Sequence, residues 1–152
     1  MTDRYVAHGT FVVERTYPAT PARVFRAWAD PTIKQRWFGA GGSDTKAFDF
    51  REGGRELAEG SMGTDSYSFD VQYQDIVENN RIIYSYHMGI NGKRISVSVA
   101  AVELFAEGTG TRMTVTEHGC FLDGLDNLAQ RQAGTEQLVD ALGAELARQS
   151  AN

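Results

Sequence analysis

Apolar side chains recur along this chain in patterns typical of both strands and helices. Residues Thr10–Tyr17 are rich in β-branched and aromatic side chains, which predicts a first β-strand. From Ala129 to Arg148 no proline interrupts the chain, which predicts one helix of about 30 Å. Its apolar stripe consists of Leu128, Leu138, Ala141, Leu142 and Leu146. Its polar side chains are expected mostly away from that stripe: Gln130, Arg131, Glu136, Asp140 and Glu145.

Two short helices are predicted directly after the first strand. Thr20 and Asp30 are residue types that cap helices, and each is followed by a proline, which fits the first helical position. The apolar residues of these two segments are Val24, Phe25 and Trp28, then Ile33, Trp37 and Phe38. The second helix is expected to end at Gly39, Gly41 and Gly42.

Six further strands are predicted in the middle of the chain. Their expected ranges are Thr45–Phe50, Arg55–Met62, Ser66–Val77, Arg81–Met88, Lys93–Phe105 and Thr111–His118. The link Asn91-Gly92 is the sharpest turn signal, because a type I′ turn needs positive φ at both central residues. Links this short favour an antiparallel meander over parallel crossovers.

The predicted order of elements is one strand, two short helices, six strands and one long helix. A chain of 152 residues fits a single domain. Only one long helix is available to cover a face of the seven-stranded sheet, so we expect the sheet to curve around it. Such an arrangement tends to leave a gap between sheet and helix. The expected fold is therefore α+β with an internal cavity, closed at one end by the short helices.

Composition narrows the classes of protein to consider. The net charge is −5 and no run of basic residues occurs, which argues against a nucleic-acid-binding protein. No apolar segment is long enough for a signal-peptide core or a membrane span. The single cysteine, Cys120, cannot form an internal disulfide and is expected to be a buried, unreactive thiol. A cytoplasmic domain with no membrane partner is therefore expected.

An ordered set of short motifs extends over nearly the whole chain, from about Val12 to Leu146. The motifs are Val13–Tyr17, Pro21–Trp28, Asp30-Pro31, Arg36–Gly39, Gly53–Arg55, Asp75–Glu78, Thr114–Gly119, Phe121–Gly124 and Gly134. In this order they resemble the START-like (birch-pollen-allergen-like) superfamily. Within it they are most similar to the branch named for activator of heat-shock-protein-90 ATPase homologues.

The resemblance implies the helix-grip fold, in which a curved antiparallel sheet surrounds a long C-terminal helix and a cavity lies between them. The superfamily includes carriers of lipids and hormones, polyketide cyclases and aromatases, and co-chaperone domains. For this branch the resemblance implies neither a shared set of catalytic residues nor a cofactor. A chaperone is the partner that the branch name suggests.

Strand alternation predicts one carboxylate in the cavity. Met113, Val115 and Glu117 share a face of the last strand, and the apolar pair indicates that this face points inward. A partly buried Glu117 would have a raised pKa and could bind a ligand hydroxyl or act as a general base. The alternative is a structural carboxylate that pairs with an arginine or a helix N-terminus. Because strand neighbours point to opposite faces, Glu117 and His118 are not expected to form a dyad.

Aromatic side chains supply the other candidate ligand contacts. Two adjacent strands carry alternating apolar residues on one face: Tyr67, Phe69, Val71 and Tyr73, then Ile82, Tyr84, Tyr86 and Met88. These residues fit either an ordinary core or cavity walls with hydroxyl groups. Trp37 and Phe38 fit either a lid packed on the sheet or a cavity mouth beside a hinge at Gly39, Gly41 and Gly42. The predicted ligand-binding residues are Trp37, Phe38, Phe48, Phe50, Tyr67, Phe69, Tyr73, Tyr84, Tyr86, Met113, Glu117, Leu138 and Leu142.

No motif in the chain identifies an enzyme. The histidines lack metal-ligand spacing, and no phosphate-binding loop or nucleophile elbow occurs. The leading hypothesis is a protein that binds a small apolar or aromatic molecule, of lipid or polyketide type, in the cavity. The alternatives are a cyclase- or hydrolase-type enzyme that uses Glu117 and a tyrosine, and a chaperone-interacting module. A homodimer through an exposed strand edge such as Thr10–Tyr17 is also open.

Overall fold

The computed structural model describes residues 4–39 and 43–150. Its elements in chain order are β1 (Val6–Tyr17), α1 (Pro21–Ala29), α2 (Pro31–Phe38), β2 (Ser43–Phe48), β3 (Arg55–Met62), β4 (Asp65–Val77), β5 (Arg81–Ile90), β6 (Lys93–Glu107), β7 (Gly110–Leu122) and α3 (Leu128–Ser150). The predicted α+β order is confirmed. Element ends differ, and β2 ends at Phe48, so Phe50 lies outside it.

The seven strands form one antiparallel sheet in the order β1-β7-β6-β5-β4-β3-β2. Strands β2 to β7 are a meander, as predicted, and β1 pairs with β7 at one edge. The register shifts between Thr45 and Ala47 and between Tyr73 and Asp75. Such bulges bend a strand and increase its local twist. They therefore help the sheet to curve around α3.

Two glycines explain why β1 and β7 are longer than the pattern predicts. The pair extends to Val6 and Leu122, and Gly9 lies opposite Gly119 within the extension. Glycine is depleted in strands, so the sequence pattern predicted strand ends next to Gly9 and Gly119, although the pairing of β1 with β7 continues beyond both residues. A Cβ atom on Gly9 would lie 2.6 Å from Leu128 Cδ2. Glycine at this position therefore allows the first residue of α3 to pack closely on β1.

Local side-chain signals account for both short helices and for the turn between β5 and β6. Thr20 Oγ1 accepts a hydrogen bond from the N–H of Arg23 at 3.3 Å and caps α1. The Asp30 carboxylate accepts from two backbone N–H groups of α2 at 2.9 and 3.1 Å. Asn91 and Gly92 have φ values of 52° and 80°. Both are positive, as the predicted type I′ turn requires.

The core lies between the inner face of the sheet and the three helices. Helix α3 contacts β1, α1 and α2. The apolar stripe predicted for α3 is buried at Leu142 and Leu146, but Arg131 and Glu145 are buried too. The prediction that these two charged side chains lie off the buried face is wrong. At 3.6 residues per turn, Arg131 lies two turns before Leu138 and so shares its face.

Candidate functional site

A pocket of about 650 Å³ lies between the sheet and α3, beside α1 and α2. This volume is in the range of sites for small molecules. Most of the wall is aromatic or aliphatic, and it includes Trp28 from α1 and Gly134 from α3. Eight of the predicted ligand-binding residues line it: Trp37, Phe38, Tyr67, Phe69, Tyr84, Tyr86, Glu117 and Leu138.

The other five predicted residues do not line the pocket: Phe48, Phe50, Tyr73, Met113 and Leu142. The Phe50 ring centroid lies 4.9 Å from that of Tyr73 and 6.2 Å from that of Phe48, so these three rings pack together. Met113 and Leu142 are fully buried in the core. Strand and helix periodicity selects the inner face but does not indicate which part of that face meets a void.

Trp37 and Phe38 both pack on the fold and line the pocket. Trp37 is buried, and its Nε1 donates to the carbonyl of Ala27 at 3.0 Å. The Phe38 ring centroid lies 5.0 Å from that of Phe69. Of the predicted hinge, Gly41 and Gly42 lie outside the described residues, and Gly39 ends α2.

Four polar side chains, Tyr86, Glu117, Asp126 and Arg131, meet in the pocket wall and are called here the Arg131 cluster. The Tyr86 hydroxyl donates to Glu117 and lies 2.8 Å from both carboxylate oxygens. Arg131 Nη1 donates to Tyr86 Oη at 2.9 Å and to Glu117 Oε2 at 3.3 Å. Arg131 Nη2 donates to Asp126 Oδ2 at 2.5 Å and to Ser96 Oγ at 2.7 Å.

Local sequence explains how these side chains converge. Strand alternation turns Tyr86 of β5 and Glu117 of β7 to the inner face. Asn127 precedes α3, and its Oδ1 accepts from the N–H of Gln130 at 2.9 Å, which fixes the start of the helix. Arg131 therefore lies in the first helical turn, directed at the sheet.

Burial dominates the electrostatics of Glu117, which is 3% exposed. Desolvation raises the pKa of Glu117 above its ordinary value, although hydrogen bonds from Tyr86 and attraction to Arg131 act in the opposite direction. Burial also raises the pKa of the Tyr86 phenol, with a further contribution from the Glu117 charge. The carboxylate therefore lines the pocket and pairs with an arginine, and its role toward a ligand stays a prediction.

A second buried ion pair was not predicted from the sequence. Lys34 Nζ lies 2.6 Å from Glu56 Oε1, and the two residues are 4% and 1% exposed. The Tyr73 hydroxyl also donates to Glu56. Lys34 shares the helical face of Trp37 and Phe38, at positions i, i+3 and i+4. That spacing is the signal that could have placed this lysine inside.

The environment of Cys120, on the outer face of β1 and β7, differs from the prediction. Cys120 is only half-buried, and His8 Nδ1 lies 3.7 Å from its Sγ. The prediction of a buried thiol with no base nearby is wrong, because the extension of β1 places His8 opposite Cys120. His118 is exposed and its Nδ1 lies 3.0 Å from Thr10 Oγ1. It therefore forms no dyad with the buried Glu117.

Two further observations concern residues 4–39 and 43–150. No group of three or more His, Cys, Asp or Glu side chains in this part of the chain could hold a metal ion. No helix in these ranges is both long enough and apolar enough to cross a membrane.

A second depression, of about 450 Å³, includes Arg55 and Asp70, which pair through hydrogen bonds of 3.0 and 2.9 Å. These charged groups satisfy each other, so the pocket beside α3 is the stronger candidate.

A curved antiparallel sheet around a long C-terminal helix, with two short helices after the first strand, defines a START-like domain. The chain belongs to the family of activator of Hsp90 ATPase homolog 1-like proteins, whose model matches residues 18–147. The resemblance carried by the sequence motifs is thereby confirmed.

Solved structures from two rhizobia are similar over almost the whole chain. The Mll3558 protein from Rhizobium loti is 46% identical, with a TM-score of 0.87 over 93% of this chain and 99% of that one. A protein from Rhizobium leguminosarum is 40% identical, with a TM-score of 0.90 over 97% and 99%. DynU16, a protein in the dynemicin biosynthetic locus, shares the fold at 20% identity and a TM-score of 0.67, over 91% and 47%. No curated protein matches the chain.

Proposed function

We propose that this protein binds a small aromatic molecule in the pocket between the sheet and α3. The observation that carries the proposal is an aromatic pocket of about 650 Å³ with the Arg131 cluster in its wall. Sites for small molecules commonly combine apolar walls with a few precisely placed polar groups. The Phe69 and Tyr86 ring centroids are 4.7 Å apart, so rings already pack against rings along this wall. A flat ligand ring would extend that packing.

A ligand of polyketide type, one of the classes that the family resemblance implies, is compatible with this pocket. DynU16, which shares the fold with this chain, comes from the dynemicin biosynthetic locus. Polyketide-derived compounds often contain fused rings with oxygen substituents. Rings would pack against aromatic walls, and oxygen substituents would meet the Arg131 cluster.

Acid–base catalysis in the same pocket is a second candidate. Tyr86 and Glu117 lie within hydrogen-bond distance of each other there, and burial raises the pKa of Glu117 as a general base requires. Mass spectrometry of hydroxylated polycyclic ketones incubated with the protein would reveal turnover, and unchanged compounds would leave binding alone. Contact with a chaperone, a homodimer through β1 and a cytoplasmic location stay predictions.

Gly134 offers a way to fill the pocket without disturbing the fold. It lies in α3 and lines the pocket, and a Cβ atom there would have no heavy atom within 4 Å. Gly134→Trp is therefore expected to place an indole in the pocket and to abolish binding of 2-naphthol, a small aromatic probe. The free energy of unfolding should not fall, because glycine inside a helix costs about 0.5–1 kcal/mol. Isothermal titration calorimetry measures the binding.

Ala133→Trp is the matched control, because Ala133 is the exposed neighbour in the same helix. It adds the same side chain on the solvent side and should leave 2-naphthol binding unchanged. Wild-type protein that shows no saturable one-to-one binding would contradict the proposed function. Gly134→Trp protein that binds like wild type would place the probe outside this pocket.

A further inference from the structure

The charges in the pocket wall are unbalanced. Among the described residues that line the pocket, three are acidic, Asp65, Glu117 and Asp126, and one is basic, Arg131. Glu117 and Asp126 both contact the Arg131 guanidinium. An anionic ligand would therefore face, among the described residues of the wall, a single positive charge that two carboxylates already compensate.

The terminal nitrogens of Arg131 already donate hydrogen bonds within the Arg131 cluster and to Ser96. The two terminal nitrogens of a guanidinium carry four N–H groups. Nη1 donates to Tyr86 and Glu117, and Nη2 donates to Asp126 and Ser96. A ligand carboxylate could reach these two nitrogens only by replacing one of these bonds.

Glu117 is in the opposite situation, because it has acceptor capacity left. An ionised carboxylate has about four acceptor positions. Three donors already use Glu117: the Tyr86 hydroxyl, Arg131 Nη1 and Ser98. The single Tyr86 proton is committed to Glu117, so this phenol can offer a ligand only its oxygen. The Arg131 cluster therefore presents acceptors to the pocket.

Trp28 lines the pocket, and its Nε1 is buried with no hydrogen-bond partner among the described residues. This N–H carries no net charge, so it does not compensate the charge of an anionic ligand.

From these contacts we infer that the ligand donates a hydrogen bond to Glu117, from a hydroxyl, N–H or ammonium group, and that the pocket rejects carboxylates such as fatty acids and aromatic acids. The inference rests on the proposed function and specifies the chemical class of ligand for the same pocket. A neutral hydroxylated aromatic compound fits Glu117 in this way.

Three naphthalene derivatives of similar size distinguish the contribution of a hydrogen-bond donor to affinity from the contribution of the aromatic ring. At about pH 7, 2-naphthol is a neutral donor, 2-methoxynaphthalene is a neutral acceptor and 2-naphthoate is an anion. By calorimetry on the wild-type protein, 2-naphthol should bind about tenfold or more tightly than 2-methoxynaphthalene, because hydrogen bonds to charged groups are the stronger ones. 2-Naphthoate should bind most weakly. In the Glu117→Gln variant, the affinity for 2-naphthol should differ less from the affinities for the other two compounds, because a neutral amide replaces the carboxylate.

The outcomes distinguish this inference from the proposed function. Equal affinity of the wild-type protein for all three compounds, or tighter binding of 2-naphthoate, overturns the inference while aromatic binding stands. Absence of binding for all three compounds overturns the proposed function and the inference with it. The wild-type comparison decides the question even if Glu117→Gln fails to fold.

Discussion

Replacing Lys34 by methionine should destabilise the protein by about 3–5 kcal/mol. Lys34 Nζ lies 2.6 Å from Glu56 Oε1, and both side chains are almost completely buried. Methionine keeps the length of the side chain, but it leaves the Glu56 carboxylate without its counter-charge in a dry environment. Removing one partner of a buried pair costs more than the pair itself is worth. Urea unfolding followed by tryptophan fluorescence measures the change.

Two further variants distinguish the loss of the buried ion pair from the effect of replacing any lysine by methionine. Lys46→Met changes an exposed lysine of β2 and should alter the free energy of unfolding by no more than about 0.5 kcal/mol. The double variant Lys34→Met with Glu56→Gln should recover much of the lost stability, because no buried charge is left unpaired. If Lys34→Met lowered the free energy of unfolding by less than about 1 kcal/mol, the buried Glu56 carboxylate would not need Lys34 as its counter-charge.

Arg131→Met should also cost about 3–5 kcal/mol near neutral pH, because Glu117 and Asp126 lose the cation that they share. The cost should depend on pH. The pKa of Glu117 in the folded protein is already above its unfolded value, because of burial, and loss of Arg131 raises it further. Folding therefore favours protonated Glu117, and the stability that this protonation contributes is lost as pH rises through the folded-state pKa of Glu117. Denaturation curves of the wild type and the variant at about pH 5 and about pH 7.5 measure the loss of stability caused by Arg131→Met. This loss should be larger at the higher pH.

Arg26→Met is the control for this variant, because Arg26 is exposed on α1 and its loss uncovers no buried carboxylate. The double variant Arg131→Met with Glu117→Gln should regain stability mainly at the higher pH, where Glu117 would be charged. A destabilisation of the same size at both pH values would mean that lost packing around Arg131, rather than the charge of Glu117, causes it.

The fold was predictable because its determinants are local in the sequence. Thr20 and Asp30 cap their helices within three residues, and Asn91-Gly92 has the conformation that its turn type requires. The prediction failed at Gly9, where the reason for glycine is contact with α3. That contact joins residues far apart in the chain, and a local pattern carries no information about it.

The candidate site was only partly predictable for the same reason. Strand alternation correctly turns Tyr86 and Glu117 inward, because it depends only on neighbours in the same strand. Burial of Lys34 and Arg131 depends on a partner elsewhere in the chain. Composition rules place charged residues outside unless that partner is known. Periodicity likewise could not tell that Phe48 packs in an aromatic cluster while other inward-facing rings line the pocket.

A crystal structure of the protein grown with 2-naphthol tests the central claim most directly. We expect the naphthalene ring in the pocket between the sheet and α3, in contact with Phe69 and Leu138, and its hydroxyl within hydrogen-bond distance of a Glu117 oxygen. Density for the compound only on the outer surface, or a pocket filled by repacked side chains at saturating compound, would contradict the account.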